Sequence, residues 1–350
     1  MPRESDNVTI IIPTYNEQGS LPWLVNRMYY AADGVHILVV DDSPNDETAE
    51  VARMSGCDVI HRKDKKGLSS AVIDGIKHSN SDKIIVMDAD LQHPPELIPR
   101  ILEELETHDF VVASRYVDGG SCEEWDLDRK LISRVANLAA RPLTNVKDAV
   151  SGFFGFRTAK LPDLNTVSIR GFKIMLELLV KGSWDSVVEI PYTFGVRTRG
   201  RTKMRWEQIR DYLIQLASLY LYKFRILRFG IIGVSGVLIH LPILYLLTEF
   251  VRLPYLLSAI IGIICASTSN YFLNHFWTFS GQRSAAPNHF LGWGKYQLMS
   301  GITDGLYLGT LALLVELGGI YYMLSATLAM VIIFIFKYLV AKHWIWRRHK

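Results

Sequence analysis

Cysteine is scarce in this chain of 350 residues: Cys57, Cys122 and Cys265 lie far apart, are odd in number and lack metal-ligand spacing. That excludes a disulfide framework and a cysteine-built zinc centre, and the three read as ordinary reduced residues. Net charge is small as well, +3, so overall charge selects no class of partner. Where charge is missing says more. Up to about residue 225 charges are dense; beyond it long stretches carry none, so mean hydropathy is positive although 21% of residues are charged. The N-terminal "MPRESDNVTIIIPTYNE" holds only a short apolar run that breaks at Pro13, so no signal peptide is expected.

The length gives room for about two domains of common size. In the first half, short apolar runs alternate with segments of helical spacing. Val8 to Ile12, Val35 to Val40, Val59 with Ile60, Ile84 to Met87 and Phe110 to Ala113 read as strands. Ser20 to Ala32, Thr48 to Ser55, Ser69 to His78 and Pro95 to Thr107 read as helices between them. Buried apolar strands alternating with helices predict parallel pairing with helices on both faces, a doubly wound α/β domain. Ligands of such sheets sit beyond the carboxyl ends of the strands. Three of these strands end on "PTYNE", "DDSPND" and "DADLQ", which predicts one acidic crevice.

In "IVMDADLQHPPE" a buried strand runs directly into Asp88, Ala89 and Asp90. Two carboxylates two residues apart, with Gln92 as a further hard oxygen, can hold a divalent cation that bridges the oxygens of a diphosphate. An isolated Asp-x-Asp is more often a solvated turn. Here it follows a buried strand in register with two other polar strand ends.

"IIPTYNE", "VVDDSPNDET" and "DADLQHPPE" resemble the signatures of family 2 glycosyltransferases with the nucleotide-sugar-binding, Rossmann-like GT-A fold, and specifically dolichol phosphate mannose synthases, over roughly residues 6 to 205. The resemblance implies that Pro13, Tyr15 and Glu17 line the nucleotide pocket and that Asp42, with Asp41, contacts the base; Asp41 has the alternative of a structural partner at the strand end. Lys66 and Gly67 would border the donor, or lie in a solvated basic loop. Asp88 would face the donor sugar and join the metal site, while Asp90 and Gln92 would ligate Mn2+ or Mg2+. The implied reaction is inverting transfer of mannose from GDP-mannose to dolichyl or polyprenyl phosphate. Glucose transfer from UDP-glucose and a non-catalytic flippase component are the rivals. Nucleic acid is not an expected partner.

A lipid phosphate is already an anion at neutral pH, so the acceptor side needs cations and hydroxyls in place of a strong base. Arg115, in "VVASRYVDGG", matches the family's Ser-Arg signature. Arg129 and Ser133 are one turn apart on the helix expected over 126–141, which has Leu127, Leu131, Val135 and Leu138 on one stripe and is a candidate interfacial helix. A surface helix with scattered basic residues is the plainer alternative. "DAVSGFFGFR" resembles the family's Ser-Gly-Phe segment, with Asp148 either an acceptor-side carboxylate or a cap. "FGVRTRGRTKMRW" fits the family's basic loop, with Arg197, Arg201 and Lys203 candidates for closing over phosphates or for meeting anionic lipid. Processive synthases carry Gln, two residues, then Arg-Trp; Arg205 and Trp206 are preceded at that place by Thr202, which argues against chain polymerisation.

Beyond an amphipathic segment over 204–225, with Trp206, Ile209, Leu213, Leu216 and Tyr220 on one face, four spans are expected near 228–250, 253–277, 295–317 and 320–341. They resemble GtrA-like four-helix membrane domains. The expected organisation is a GT-A domain over 1–203, the interfacial helix, and a membrane domain over 226–350. Lys223, Arg225, Arg228, Arg283, Lys295, Lys342, Arg347, Arg348 and Lys350 flank the spans on the side of the catalytic domain, which predicts a cytoplasmic catalytic domain and cytoplasmic termini.

Overall fold

The computed structural model describes residues 7–63, 67–122, 125–168, 173–195, 206–280 and 288–346. The chain forms two compact units, Met1–Leu219 and Tyr220–Lys350.

In the first unit the β-branched runs form strands because both of their faces are covered. Among the described residues seven strands make one sheet: β1 (Val8–Thr14), β2 (His36–Asp41), β3 (Asp58–His61), β4 (Lys83–Val86), β5 (Phe110–Ser114), β6 (Phe154–Arg157) and β7 (Val187–Pro191), in the order β3-β2-β1-β4-β6-β5-β7. Alternate residues of each strand serve opposite layers. Ile10 and Ile12 pack with Leu21, Leu24 and Met28 of α1 (Leu21–Ala31) and with Ile98 and Ile101 of α4 (Ile98–Glu104), over Ala52 of α2 (Glu47–Met54). Ile11, Leu38 and Val40 pack on the other face with Val72 and Ile76 of α3 (Leu68–His78) and Met175 and Leu178 of α6 (Ile174–Lys181).

The expected helices and first five strands all form. The expectation of parallel pairing holds except at β6, which runs antiparallel to both β4 and β5. β4 and β5 are therefore separated in the sheet by a strand that comes later in the chain. The benefit falls on the other side: β2, β1 and β4 are neighbours, so their polar ends lie side by side.

Two more helices complete the unit: α5 (Leu127–Ala140) and most of α7 (Trp206–Lys223). On α5, Leu127, Leu131, Val135 and Leu138 are all exposed, so the apolar stripe seen in the sequence faces away from the core. The face expected for the 204–225 helix is divided. Leu216 is buried with Tyr212, Gln215 and Leu219, whereas Trp206 and Leu213 are exposed. Tyr212 donates to the carbonyl of Ala136 on α5, and Gln215 donates to Glu177 on α6.

The second unit is helical: α8 (Arg225–Tyr245), α9 (Tyr255–Leu273), α10 (His289–Ala312) and α11 (Tyr322–Val340), each running on into a five-residue π-helical turn. Arg225–Phe250, His289–Leu317 and Thr327–Ile345 are long and apolar enough to cross a membrane. Aromatic rings pin the unit together; Trp346 stacks on Phe279 with centroids 4.4 Å apart.

Candidate active site

At the end of β2 the two acids have different duties. Asp41 is fully buried, and one of its oxygens accepts hydrogen bonds from the hydroxyls of Thr14 (2.9 Å) and Ser43 (2.6 Å). Of the two readings left open for it, this is the structural one: Asp41 fastens β1 to the loop after β2. Asp42 accepts a bidentate pair from Arg62, both bonds at 2.7 Å, and a third bond from the Gly67 amide at 2.8 Å. Gly67 has a φ of 132°, which a side chain would resist, so glycine is what lets the amide turn toward Asp42. Arg62 also donates to Ser70 and Asp74, and so ties β3 to α3. Sequence reasoning missed Arg62, because a lone arginine in "HRKDKK" reads as part of a solvated run. Pro13 is half-buried, Tyr15 is exposed, and Glu17 accepts from the Ser20 hydroxyl at 2.8 Å. Lys66 lies outside the described residues.

At the end of β4, Asp88 and Asp90 are both partly exposed and Gln92 is buried. Leu91 between them has a φ of 64°, a left-handed conformation costly for a bulky side chain and of the kind held at functional sites. The Gln92 backbone amide donates to Asp90, and its side-chain nitrogen donates to the carbonyl of Gly195, so the side-chain oxygen is the atom suited to a hard cation. Gly152 stands against this loop. A Cβ there would come within 2.8 Å of an Asp88 carboxylate oxygen. His93 closes the floor: its Nδ1 accepts from the Asp88 amide at 3.1 Å, and its ring stacks on Phe153. Burial pushes the His93 ring down to about 4, so the ring is neutral.

Among the described residues no three His, Cys, Asp or Glu are grouped to hold a metal. Two carboxylates and one amide oxygen do suit a hard cation that takes its remaining ligands from phosphate and water, as Mg2+ commonly does. The donor set therefore fits.

Beyond β5, Arg115 is buried in a bidentate pair with Asp148, at 2.8 Å for both bonds, and its own amide donates to the same carboxylate. Burial opposes the charge, but Asp148 more than offsets that and holds the guanidinium above its ordinary range. This makes Arg115 a structural anchor rather than an open phosphate donor. Its guanidinium lies 4.9 Å from the centre of the Trp125 ring, and that of the exposed Arg129 lies 4.1 Å from the same ring. The Ser133 hydroxyl accepts from Tyr116 at 2.8 Å. Phe194 packs edge-on against both Trp125 and His93, so the acid loop and the arginine cluster share a wall. Gly195, the last described residue before the basic loop, exchanges hydrogen bonds with Gln92. Arg197, Arg201 and Lys203 lie outside the described residues. Lys173 was also missed; it follows an undescribed stretch, and its ammonium donates to the carbonyl of Val150 at 2.8 Å.

Residues 9–164 match the glycosyl transferase family 2 model, and residues 228–346 match the GtrA/DPMS transmembrane domain. The dolichol-phosphate mannosyltransferase of Pyrococcus furiosus is 36% identical over 97% of this chain and 99% of its own length. The chain belongs to the dolichol-phosphate mannosyltransferase family. The Saccharomyces cerevisiae dolichol-phosphate mannosyltransferase is 38% identical over 62% of this chain and 88% of its own. Polyprenol monophosphomannose synthase of Mycolicibacterium smegmatis is 35% identical over 62% and 88%. This member of the family is thus a glycosyltransferase of GT-A type with a helical membrane unit. Its acid loop falls inside the matched family 2 segment, as do Arg115, Arg129 and Gly152.

Proposed function

We propose that the protein transfers mannose, with inversion, from GDP-mannose to dolichyl or another polyprenyl phosphate. The observation that carries this reading is the shared wall: Phe194 joins a loop suited to a metal-bound diphosphate to a cluster of arginines suited to a second phosphate. The mannosyl group follows the relatives' names, and guanine is what the resemblance to the family implies.

An oxygen of the acceptor phosphate attacks the anomeric carbon of mannose. The bond from that carbon to the diphosphate oxygen breaks, and its electron pair leaves with GDP. Because the nucleophile is already anionic, no residue has to remove a proton. Asp88, Asp90 and the Gln92 amide oxygen would hold Mn2+ or Mg2+. A cation there supplies charge neutralisation on the departing diphosphate. Tyr15 and Glu17 flank the nucleotide, while Asp42 and Arg62 fix the Gly67 turn beside it. Arg129 and Ser133 orient the acceptor phosphate, and Arg201 and Lys203 close over the donor. Direct displacement yields a β-linked lipid phosphomannose.

The exposed stripe of α5 lies in the headgroup plane, where a lipid phosphate emerges. In this reading all four long helices span the bilayer, and the basic residues flanking them in the sequence favour a cytoplasmic catalytic unit with cytoplasmic termini. Purified protein is offered GDP-mannose or UDP-glucose with polyprenyl phosphate and Mn2+, and the lipid product is weighed by mass spectrometry. Mannosyl lipid from GDP-mannose is expected. Product from UDP-glucose alone would end the mannose assignment.

A further inference from the structure

The charge balance around Trp125 leads to a residue that no motif contains. A phosphate monoester carries about −1.5 to −2 charges near neutrality. Arg115 does little to meet it, because Asp148 cancels its charge at 2.8 Å. Arg129 brings one positive charge. Lys173 brings a second. It is half-buried at the start of α6, and its electrostatic neighbours are the cations Arg115 and Arg129 and the carboxylates Asp88 and Asp148. Its ammonium is held by the Val150 carbonyl, two residues before the glycine that abuts Asp88.

We propose that Lys173 grips the acceptor phosphate together with Arg129, and this rests on the reading that the acceptor is a lipid phosphate. The backbone at Lys173 is fixed separately, by Gln215 of α7 donating to its carbonyl at 3.1 Å. Burial, reinforced by Arg115, pushes the lysine down to about 8, so the free site holds this ammonium at a cost. A bound phosphate dianion reverses that cost. The compact ammonium complements Arg129, whose planar group is stacked on Trp125.

The test is binding of farnesyl phosphate to the full-length protein in detergent, with farnesol as the uncharged control. Lys173→Gln retains a donor for Val150 and removes the charge; Lys173→Arg restores the charge. Wild type should prefer the phosphate over the alcohol by at least tenfold, Lys173→Gln should lose most of that preference, and Lys173→Arg should recover it. GDP affinity and the unfolding midpoint should stay unchanged in both variants. Equal phosphate binding by wild type and Lys173→Gln would overturn the assignment, as would a loss that Lys173→Arg fails to rescue. Mannose transfer is read separately in the same preparation. Intact phosphate binding without turnover counts against the proposed reaction and leaves Lys173 standing.

Discussion

Gly152 presses its bare Cα against the Asp88 carboxylate, and a methyl group there would sit 2.8 Å from the carboxylate oxygen and 3.2 Å from the His93 ring. Gly152→Ala must therefore displace the Asp88 carboxylate. A shift of about 1 Å at a reacting centre costs on the order of 100-fold in rate. The expected result is a loss of that size in kcat/KM, with a higher Mn2+ concentration needed for half-maximal activity. A variant as active as wild type would mean that Asp88 is not held where the reaction needs it.

Arg62 is the cation that makes a buried Asp42 tolerable. Removing one partner of a buried pair costs roughly 3–5 kcal/mol, because a charge is left without its counterion. Arg62→Ala should therefore lower the unfolding midpoint of the catalytic unit by roughly 10 °C. GDP affinity should fall with it, since the Gly67 turn loses its anchor. Thermal unfolding and calorimetry with GDP check both.

His93 gives the catalytic unit an acid sensitivity of defined sign. Its ring sits at about 4 when folded, against an ordinary 6.5. Between those values the unfolded chain binds a proton that the folded chain refuses, so stability drains away as pH falls from about 6.5 toward 4. The loss is on the order of 3 kcal/mol at 1.36 kcal/mol per pKa unit. Unfolding midpoints of the full-length protein across this range should fall more steeply for wild type than for His93→Phe. Parallel curves would contradict it.

The outward stripe of α5 makes a prediction about the lipid alone. Burying a leucine in an apolar phase gains about 1.5–3 kcal/mol. Leu131→Glu together with Leu138→Glu should raise the KM for polyprenyl phosphate in liposomes by at least tenfold and leave the KM for GDP-mannose unchanged. Both side chains are exposed, so the fold should survive. Unaltered transfer to the liposomal acceptor would show that α5 does not meet the membrane.

Much of this molecule can be read from its residues, and the parts that cannot have physical reasons. Strands covered on both faces, such as Ile10 to Ile12, announce themselves as β-branched runs. β7 does not, because at the sheet's edge only Ile190 of its five residues is buried. β6 is hidden inside "SGFFGFR", where four residues look like a motif and not like a strand. The acids at the strand ends were legible because they interrupt buried runs. Their partners were not, since Arg62 meets Asp42 across 20 positions of sequence and Asp148 meets Arg115 across 33. Spacing reveals neighbours on one helix or strand; it is silent about pairs that only the folded sheet brings together. That is why Arg115 read as an open cation and turned out to be committed.

The central claim is that a divalent cation is shared between the β4 acid loop and the donor diphosphate. Anomalous diffraction from crystals of the protein with GDP and Mn2+ tests it most directly. One manganese peak should lie between Asp90, the Gln92 amide oxygen and the nucleotide phosphates, and it should vanish in Asp90→Asn. Bound GDP with no manganese at that loop, or a peak that survives the substitution, would contradict the account.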